Sequence, residues 1–305
     1  MKSPSHTDRQ LFQRQLIRWF QSASRDLPWR QTRDPYAILV SEMMLQQTQV
    51  DRVIPKYHAF LKRFPTAADL ATAKQADVVA LWQGLGYNRR ALYLQKACQV
   101  VTNELGGEFP HTIEGLQQLP GIGPYTAGAI ASFAFELKTP LVDTNVERVI
   151  GRIFLGFREL PDTTQKEFWD LMTALLPRKD RIWIFNQAIM EFGALMCTAS
   201  KPKCGTCPMQ KICTSFPDIQ TAPKEALRYK KAAVETQYFG QPRRIWRGKI
   251  LKFLHTQPNG ATLNQVGKAI QEDFDSTRLP WLRNVITTLE KDGFVIIKKG
   301  RISLV

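Results

Sequence analysis

Four of the five cysteines, Cys197, Cys204, Cys207 and Cys213, fall within one short segment with the spacing C-x6-C-x2-C-x5-C. Thiols crowded in this way outside a secreted chain are metal ligands rather than disulfide partners. Zinc sites more often use two C-x2-C pairs separated by a longer insert. One such pair flanked by single cysteines suits an iron–sulfur cluster, with zinc as the alternative on spacing alone. Lys201, Lys203 and Lys211 give the loops of this site positive charge. Cys98 stands alone in a helical pattern and reads as a small buried apolar residue.

Two carboxylates are candidates for acid and charge-stabilising work. Asp143 follows Leu141-Val142 and precedes the helical repeat Val146–Ile150, which places it at a helix N-terminus. That position alone is also explained by ordinary capping. Glu42 lies in the apolar run Ala37–Val50, where loss of water should raise its pKa, although a glutamate on the exposed face of a helix has the same local pattern. A protonated Glu42 is suited to general acid catalysis, and an ionised Asp143 to stabilising positive charge. This division of labour suits cleavage of an N-glycosidic bond through an oxocarbenium-like transition state.

The string Leu119-Pro120-Gly121-Ile122-Gly123-Pro124 ends one helix and starts another. Gly121 and Gly123 permit a tight backbone, and Pro124 suits the first helical position. N–H groups at such a helix start form an anion site, which on nucleic acid means a phosphate. The alternative is an ordinary connection between two helices.

The elements that must position these groups are mainly helical. From about Asp8 to Pro217, apolar residues recur at three- and four-residue spacing in Leu11–Phe20, Val40–Phe60, Ala76–Leu85, Ala91–Leu105 and Phe168–Leu176. Breaks fall at Pro65, Gly84–Gly86, Gly106–Pro110, Pro161 and Pro177, and no strand-type alternation appears. A polar linker is expected over 218–242. The remainder, 243–305, reads as helices over Arg243–His255, Leu263–Phe274 and Pro280–Lys291. Two β-prone runs follow, Phe294–Lys298 and Arg301–Val305, so this is the pattern of a small winged-helix-like α/β domain. The formal net charge of +15 makes nucleic acid the expected partner. No run reaches membrane-spanning length, and Met1–Gln10 has no apolar signal core. The expected setting is the cytoplasm, associated with the nucleoid in a bacterium or archaeon, without a membrane partner.

Taken together, these strings resemble the helix-hairpin-helix DNA glycosylases that carry an iron–sulfur cluster, the endonuclease III superfamily, and within it the MutY-type adenine glycosylases. The resemblance covers about residues 8–217. It rests on Leu27-Pro28-Trp29-Arg30, Ser41-Glu42, Leu45-Gln46-Gln47-Thr48, Gly84-Leu85-Gly86-Tyr87, the hairpin, Asp143-Thr144-Asn145-Val146, and Asn186-Gln187-Ala188 leading to Glu191 and the cysteines. It implies a fold of two helical domains with the active site in the cleft between them. It also implies a [4Fe–4S] cluster on Cys197, Cys204, Cys207 and Cys213. The implied partner is double-stranded DNA with a mismatched or damaged base pair, bound by a monomer.

The same resemblance assigns Glu42 to protonating the purine, Asp143 to stabilising the sugar cation, and Asn145 to orienting the site. Tyr125 stands where bifunctional members carry a lysine nucleophile, so no Schiff base and no strand cleavage are expected. Arg30 with its neighbour Trp29, Leu45 and Glu191 match the adenine pocket. Gln47 and Tyr87 match side chains that enter the duplex and fill the space left by a flipped base.

Two departures stand out. Thr144 replaces a glycine, and 243–305 does not resemble the NUDIX-like domain that reads 8-oxoguanine in typical members. The alternatives are a thymine or uracil mismatch glycosylase of the same fold, or a non-catalytic iron–sulfur winged-helix DNA-binding regulator. Retention of both Glu42 and Asp143 argues against the regulator. In the C-terminal unit, a winged helix would turn its third helix, with Arg283 and Lys291, and its wing, with Lys298, Lys299 and Arg301, toward DNA.

Overall fold

The computed structural model describes residues 4–156, 165–222 and 236–305. In chain order these form α1 (His6–Ala23), α2 (Pro35–Leu45), α3 (Val50–Arg63), α4 (Ala67–Thr72), α5 (Gln75–Trp82), α6 (Arg89–Asn103), α7 (Ile113–Gln118), α8 (Pro124–Phe133) and α9 (Thr144–Ile150). Then come α10 (Gln165–Leu175), α11 (Ile182–Leu195), α12 (Asp218–Thr221), β1 (Gln237–Tyr238), β2 (Gln241–Pro242), α13 (Arg243–His255), α14 (Leu263–Ile270), α15 (Leu279–Lys291), β3 (Val295–Lys298) and β4 (Arg301–Leu304). The expected break at Pro161 and residues 223–235 of the expected linker lie outside the described residues.

The chain divides into two compact units. The first comprises residues 1–38, 110–117 and 122–232. Its α1 starts at Ser5, whose hydroxyl accepts the Asp8 N–H, and buries Phe12, Leu16 and Phe20 at four-residue spacing. These residues join Val146, Val149, Phe185, Ile189 and Phe192 in one core. Gly193 of α11 allows that core to close: a Cβ there would stand 2.9 Å from the Asn145 Cβ and 3.2 Å from its carbonyl oxygen.

The second unit comprises residues 39–109, 118–121 and 233–305. Phe60 packs edge-on against Phe64 and Trp82 in its helical part, and Thr66 and Asp69 close a capping box at α4. In its C-terminal part, α13–α15 precede the antiparallel hairpin β3–β4, in register Ile297 to Ile302. That is the element order of a winged helix. Trp246, Ile250, Leu251 and Leu254 of α13 share a core with Val285, Ile286 and Leu289 of α15, and also with Val79 of α5 and Leu92 of α6.

Two local expectations are corrected. The run Val40–Phe60 is two helices, α2 and α3, with a loop over 46–49 in which Gln47 is left-handed, φ 54°. Apolar spacing continues across the loop because Val53 and Tyr57 are also buried, so periodicity alone does not reveal the break. The second C-terminal helix likewise stops at Ile270 rather than Phe274, and Phe274 packs against Gly267 instead.

Candidate functional site

Asp143 is the N-cap of α9. One carboxylate oxygen accepts the backbone N–H groups of Asn145 at 2.9 Å and Val146 at 2.8 Å, and the other accepts the Asn145 side-chain amide at 2.9 Å. The Asn145 side-chain oxygen Oδ1 in turn accepts from Arg148 at 2.8 Å. Asp143 and Asn145 therefore act as one rigid constellation at a helix start. Thr144, between them, is exposed.

Glu42 sits on α2 between Ser41 and Met43 and is only 4% exposed, so the reading of a glutamate on a solvated helix face is set aside. A carboxyl group in that setting is partly stripped of water. Glu42 and Leu45 belong to the second unit, whereas Asp143, Asn145, Tyr125, Arg30 and Glu191 belong to the first.

Arg30 and Glu191 are brought together. Arg30 follows the buried Trp29 in a short 3-10 turn, Pro28–Arg30. Gln187 and Glu191 lie one turn apart on α11, so they share a face. Arg30 donates to Gln187 at 2.9 Å and to Glu191 at 2.9 Å. Arg25 adds a fork onto Glu191, at 2.9 and 2.8 Å, and its own backbone N–H at 3.0 Å. Burial acts to raise the Glu191 pKa, but these arginine hydrogen bonds and charges outweigh it and hold the group at about 2. Tyr125, at the start of α8, points its hydroxyl to the Met190 sulfur at 3.6 Å, beside the same face of α11.

The hairpin geometry follows from its glycines. Gly121 has φ 78°, and a Cβ there would stand 2.5 Å from the Tyr93 Cβ, so no larger residue fits. Gly123 is the extended N-cap of α8, with Pro124 at the first helical position and open space over its Cα. The first N–H groups of α8 lie outside the helical ladder, as at any helix start. Gln47 and Tyr87 form a second pair. Both are exposed and left-handed, at φ 54° and 46°, and both line one groove.

The four cysteines lie within electrostatic reach of one another. Burial, followed by the charges of the other three thiols, pushes Cys207 up to about 12, although the Met209 N–H opposes the shift. Cys213 is raised to about 11, again chiefly by burial. Among the described residues, no three histidine, cysteine or carboxylate groups converge on a single-ion position. A bound metal centre would favour the thiolates that burial disfavours.

Residues 40–174 match the HhH-GPD superfamily of base excision DNA repair proteins, and residues 197–213 match the iron–sulfur binding domain of endonuclease III. The adenine DNA glycosylase of Mycolicibacterium smegmatis is 40% identical over 256 residues, 83% of each chain. The chain belongs to the adenine DNA glycosylase family of the HhH-GPD superfamily. The family member from Rattus norvegicus is 46% identical over 212 residues, which are 66% of this chain and 41% of the rat protein. The chain thus spans about two fifths of the length of that mammalian relative. A solved thermostable thymine-DNA glycosylase superposes with a TM-score of 0.65 at 32% identity, covering 70% of this chain and 98% of that one. Endonuclease III in a non-covalent DNA complex superposes with a TM-score of 0.62 at 24% identity, over 72% of this chain and all of its own. The family's mainly helical fold and its iron–sulfur motif are therefore those of this chain.

Sequence reasoning missed four arginines that organise these groups. Arg25 completes the grip on Glu191. Arg148 joins Asn145 to the carbonyls of Gly193 and Cys197, at 2.8 and 2.9 Å. Arg152 holds the carbonyls of Thr198 and Ala199 at 2.7 and 2.9 Å and lies 3.7 Å from the Cys197 sulfur. Arg90 grips the loops that carry Gln47 and Tyr87. A signal was available for three of them. Arg90 is in register with the buried Leu94, Ala97, Cys98 and Val101, and Arg148 and Arg152 with the buried apolar residues around α9. A cation on the apolar stripe of a helix has to find acceptors inside.

Proposed function

We propose that this chain is a monofunctional DNA glycosylase of base excision repair. It removes adenine mispaired with 8-oxoguanine or guanine from double-stranded DNA, acting as a monomer. The observation that carries the reading is the contrast between its two acids: Glu42 is buried on an apolar helix, and Asp143 is pinned by three N–H groups at a helix start. Glu42 protonates the purine. The bond between base and sugar then breaks, its electron pair leaves with the base, and the Asp143 carboxylate stabilises the oxocarbenium-like sugar until water adds. Asn145 fixes Asp143.

Arg30, Trp29, Leu45 and Glu191 shape the adenine pocket, Gln47 and Tyr87 fill the duplex, and the turn at Gly121 and Gly123 receives a phosphate. Cys197, Cys204, Cys207 and Cys213 hold a [4Fe–4S] cluster, which when bound ties the 197–213 loop together. On this reading residues 8–217 are the glycosylase core, and 218–242 joins it to the winged-helix-like unit 243–305.

The test is single-turnover base release from a panel of mismatched duplexes. Glu42→Gln and Asp143→Asn should each slow release from A:8-oxoguanine by about 10²–10⁴-fold while duplex binding survives. Near-normal rates in either variant overturn the assignment. Because Tyr125 offers no amine, borohydride should trap no covalent enzyme–DNA adduct. Thymine opposite guanine is the second reading, favoured by the likeness to the thymine-DNA glycosylase structure. Release of thymine in preference to adenine on the same panel would select it.

A further inference from the structure

We infer that α13, the first helix of the C-terminal unit, binds the sugar–phosphate backbone of duplex DNA in a groove it forms with loops 47–49 and 83–88. This rests on the glycosylase reading only for the identity of the polyanion. The groove itself follows from packing. Trp246, Ile250, Leu251 and Leu254 form the apolar stripe of α13, and the core they enter includes Val79 of α5 and Leu92 of α6. Gln75 of α5 also donates to the Gly293 carbonyl, and Arg89 of α6 pairs with Asp292 at 3.8 Å. With that stripe buried, the polar side of α13 lines a groove of about 800 Å³.

Arg52, Lys56, Arg244, Lys249 and Lys252 all line this groove, and among the described residues no carboxylate does. Gly84, Gly86 and Gly248 also line it, and Gly86 and Gly248 have open space where a side chain would stand, so a strand can approach the backbone. The neighbouring groove, about 570 Å³, shares Gln47, Tyr87, Asn88 and Arg244 with the first. Its one acid among the described residues, Asp292, is held by Arg247 at 2.6 Å. Five cations facing one groove, with no carboxylate among its described lining residues, favour a polyanion there. These cations also adjoin the two exposed side chains, Gln47 and Tyr87, proposed above to enter the duplex.

The third helix and hairpin are less suited to this role. Asn284 and Thr288 of α15 accept hydrogen bonds from Arg243 at 3.4 and 3.0 Å, so part of the polar face of α15 is committed to α13. Arg301 donates to the carbonyls of Asn259 and Gly260, at 2.8 and 2.7 Å. Lys298 and Lys299 of the wing stay exposed, and the hairpin is the competing site that the experiment separates from α13.

The experiment measures binding of the full chain to an undamaged duplex across a salt series. It compares Arg244→Gln/Lys249→Gln/Lys252→Gln with Lys298→Gln/Lys299→Gln. The α13 variant should bind at least about tenfold more weakly at low salt, and its slope of log K against log salt should fall by roughly 0.9 for each phosphate that is no longer neutralised. The hairpin variant should match the unaltered protein. A photo-crosslinker at exposed Ile245 should label the duplex, and one at exposed Ile297 should not. Unchanged affinity and slope in the α13 variant, or weaker binding in the hairpin variant instead, overturns the inference. Because undamaged duplex needs no base release, failure of the glycosylase reading would appear separately, as absent base release with this salt behaviour intact.

Discussion

Arg90 makes the organisation of the Gln47 and Tyr87 loops directly measurable. Its guanidinium donates to the carbonyls of Met43 at 2.6 Å, Met44 at 3.0 Å and Gln46 at 2.7 Å. It also donates to the carbonyls of Leu85 at 3.1 Å, Gly86 at 2.8 Å and Tyr87 at 3.3 Å, and to the Thr48 hydroxyl at 3.2 Å. One side chain thus ties together the two loops, each of which holds a non-glycine residue in the left-handed region at a cost of about 1–2 kcal/mol. Burial, partly opposed by Tyr87, brings the Arg90 pKa down to about 10, so the group stays charged at neutral pH and the carbonyl dipoles replace its lost water.

Arg90→Met would strip the guanidinium from two buried carbonyls, those of Met43 and Met44, and leave the Leu85 carbonyl with the Thr48 hydroxyl alone. At about 1–3 kcal/mol for each unsatisfied group, with water relieving part of the cost as the loops open, the expected destabilisation is about 2–4 kcal/mol. Arg90→Lys keeps the charge but has only three donors, and should recover less than half of that stability. Denaturant unfolding gives the stability. Limited proteolysis over 46–49 and 83–88 reports the loops, and duplex affinity is compared with the single-turnover release rate at saturating enzyme. A positioning role predicts that Arg90→Lys weakens mismatch binding more than it slows release. If Arg90→Lys keeps wild-type stability and affinity, the fork geometry is not what holds these loops.

Three other expectations follow from the geometry. Glu191 titrates near 2 in the fold against 4.5 for the free group. Its contribution of roughly 3 kcal/mol is therefore present above pH 4.5 and lost as pH falls through about 2. The stability difference between pH 6 and pH 3 should accordingly be smaller in Glu191→Gln, and an equal difference in both proteins would remove Glu191 as its source. Gly193→Ala forces a methyl group toward Asn145, so base release should slow about tenfold with duplex affinity nearly kept, at a stability cost of about 1–3 kcal/mol; an unchanged release rate would show that α9 yields freely. Cys204→Ser should reduce bound iron and the visible absorbance, and expose 197–213 to protease. Stoichiometric zinc in anaerobically prepared protein would refute the cluster assignment.

What was legible in the sequence is what short stretches of chain settle on their own. The cysteine spacing, the Leu-Pro-Gly-Ile-Gly turn, the N-cap at Asp143 and the apolar stripes of α1, α6 and α13 each depend on residues a few positions apart, because capping, turn geometry and helical periodicity act over that range. Tertiary structure decided which faces are covered and which charges meet. Whether Glu42 is buried or solvated depends on what packs over α2, and nothing in its own helix states that. Arg30 and Glu191 are 161 residues apart, and their pairing with Arg25 exists only once α11 is in place. The break between α2 and α3 is invisible to periodicity because apolar residues lie on both sides of it, and the loop is held from another helix by Arg90. The C-terminal unit shows the same division. Its three helices and hairpin could be read directly, but the surface left open was set by the docking of α13 on Val79 and Leu92, a long-range burial of apolar area that no local pattern encodes.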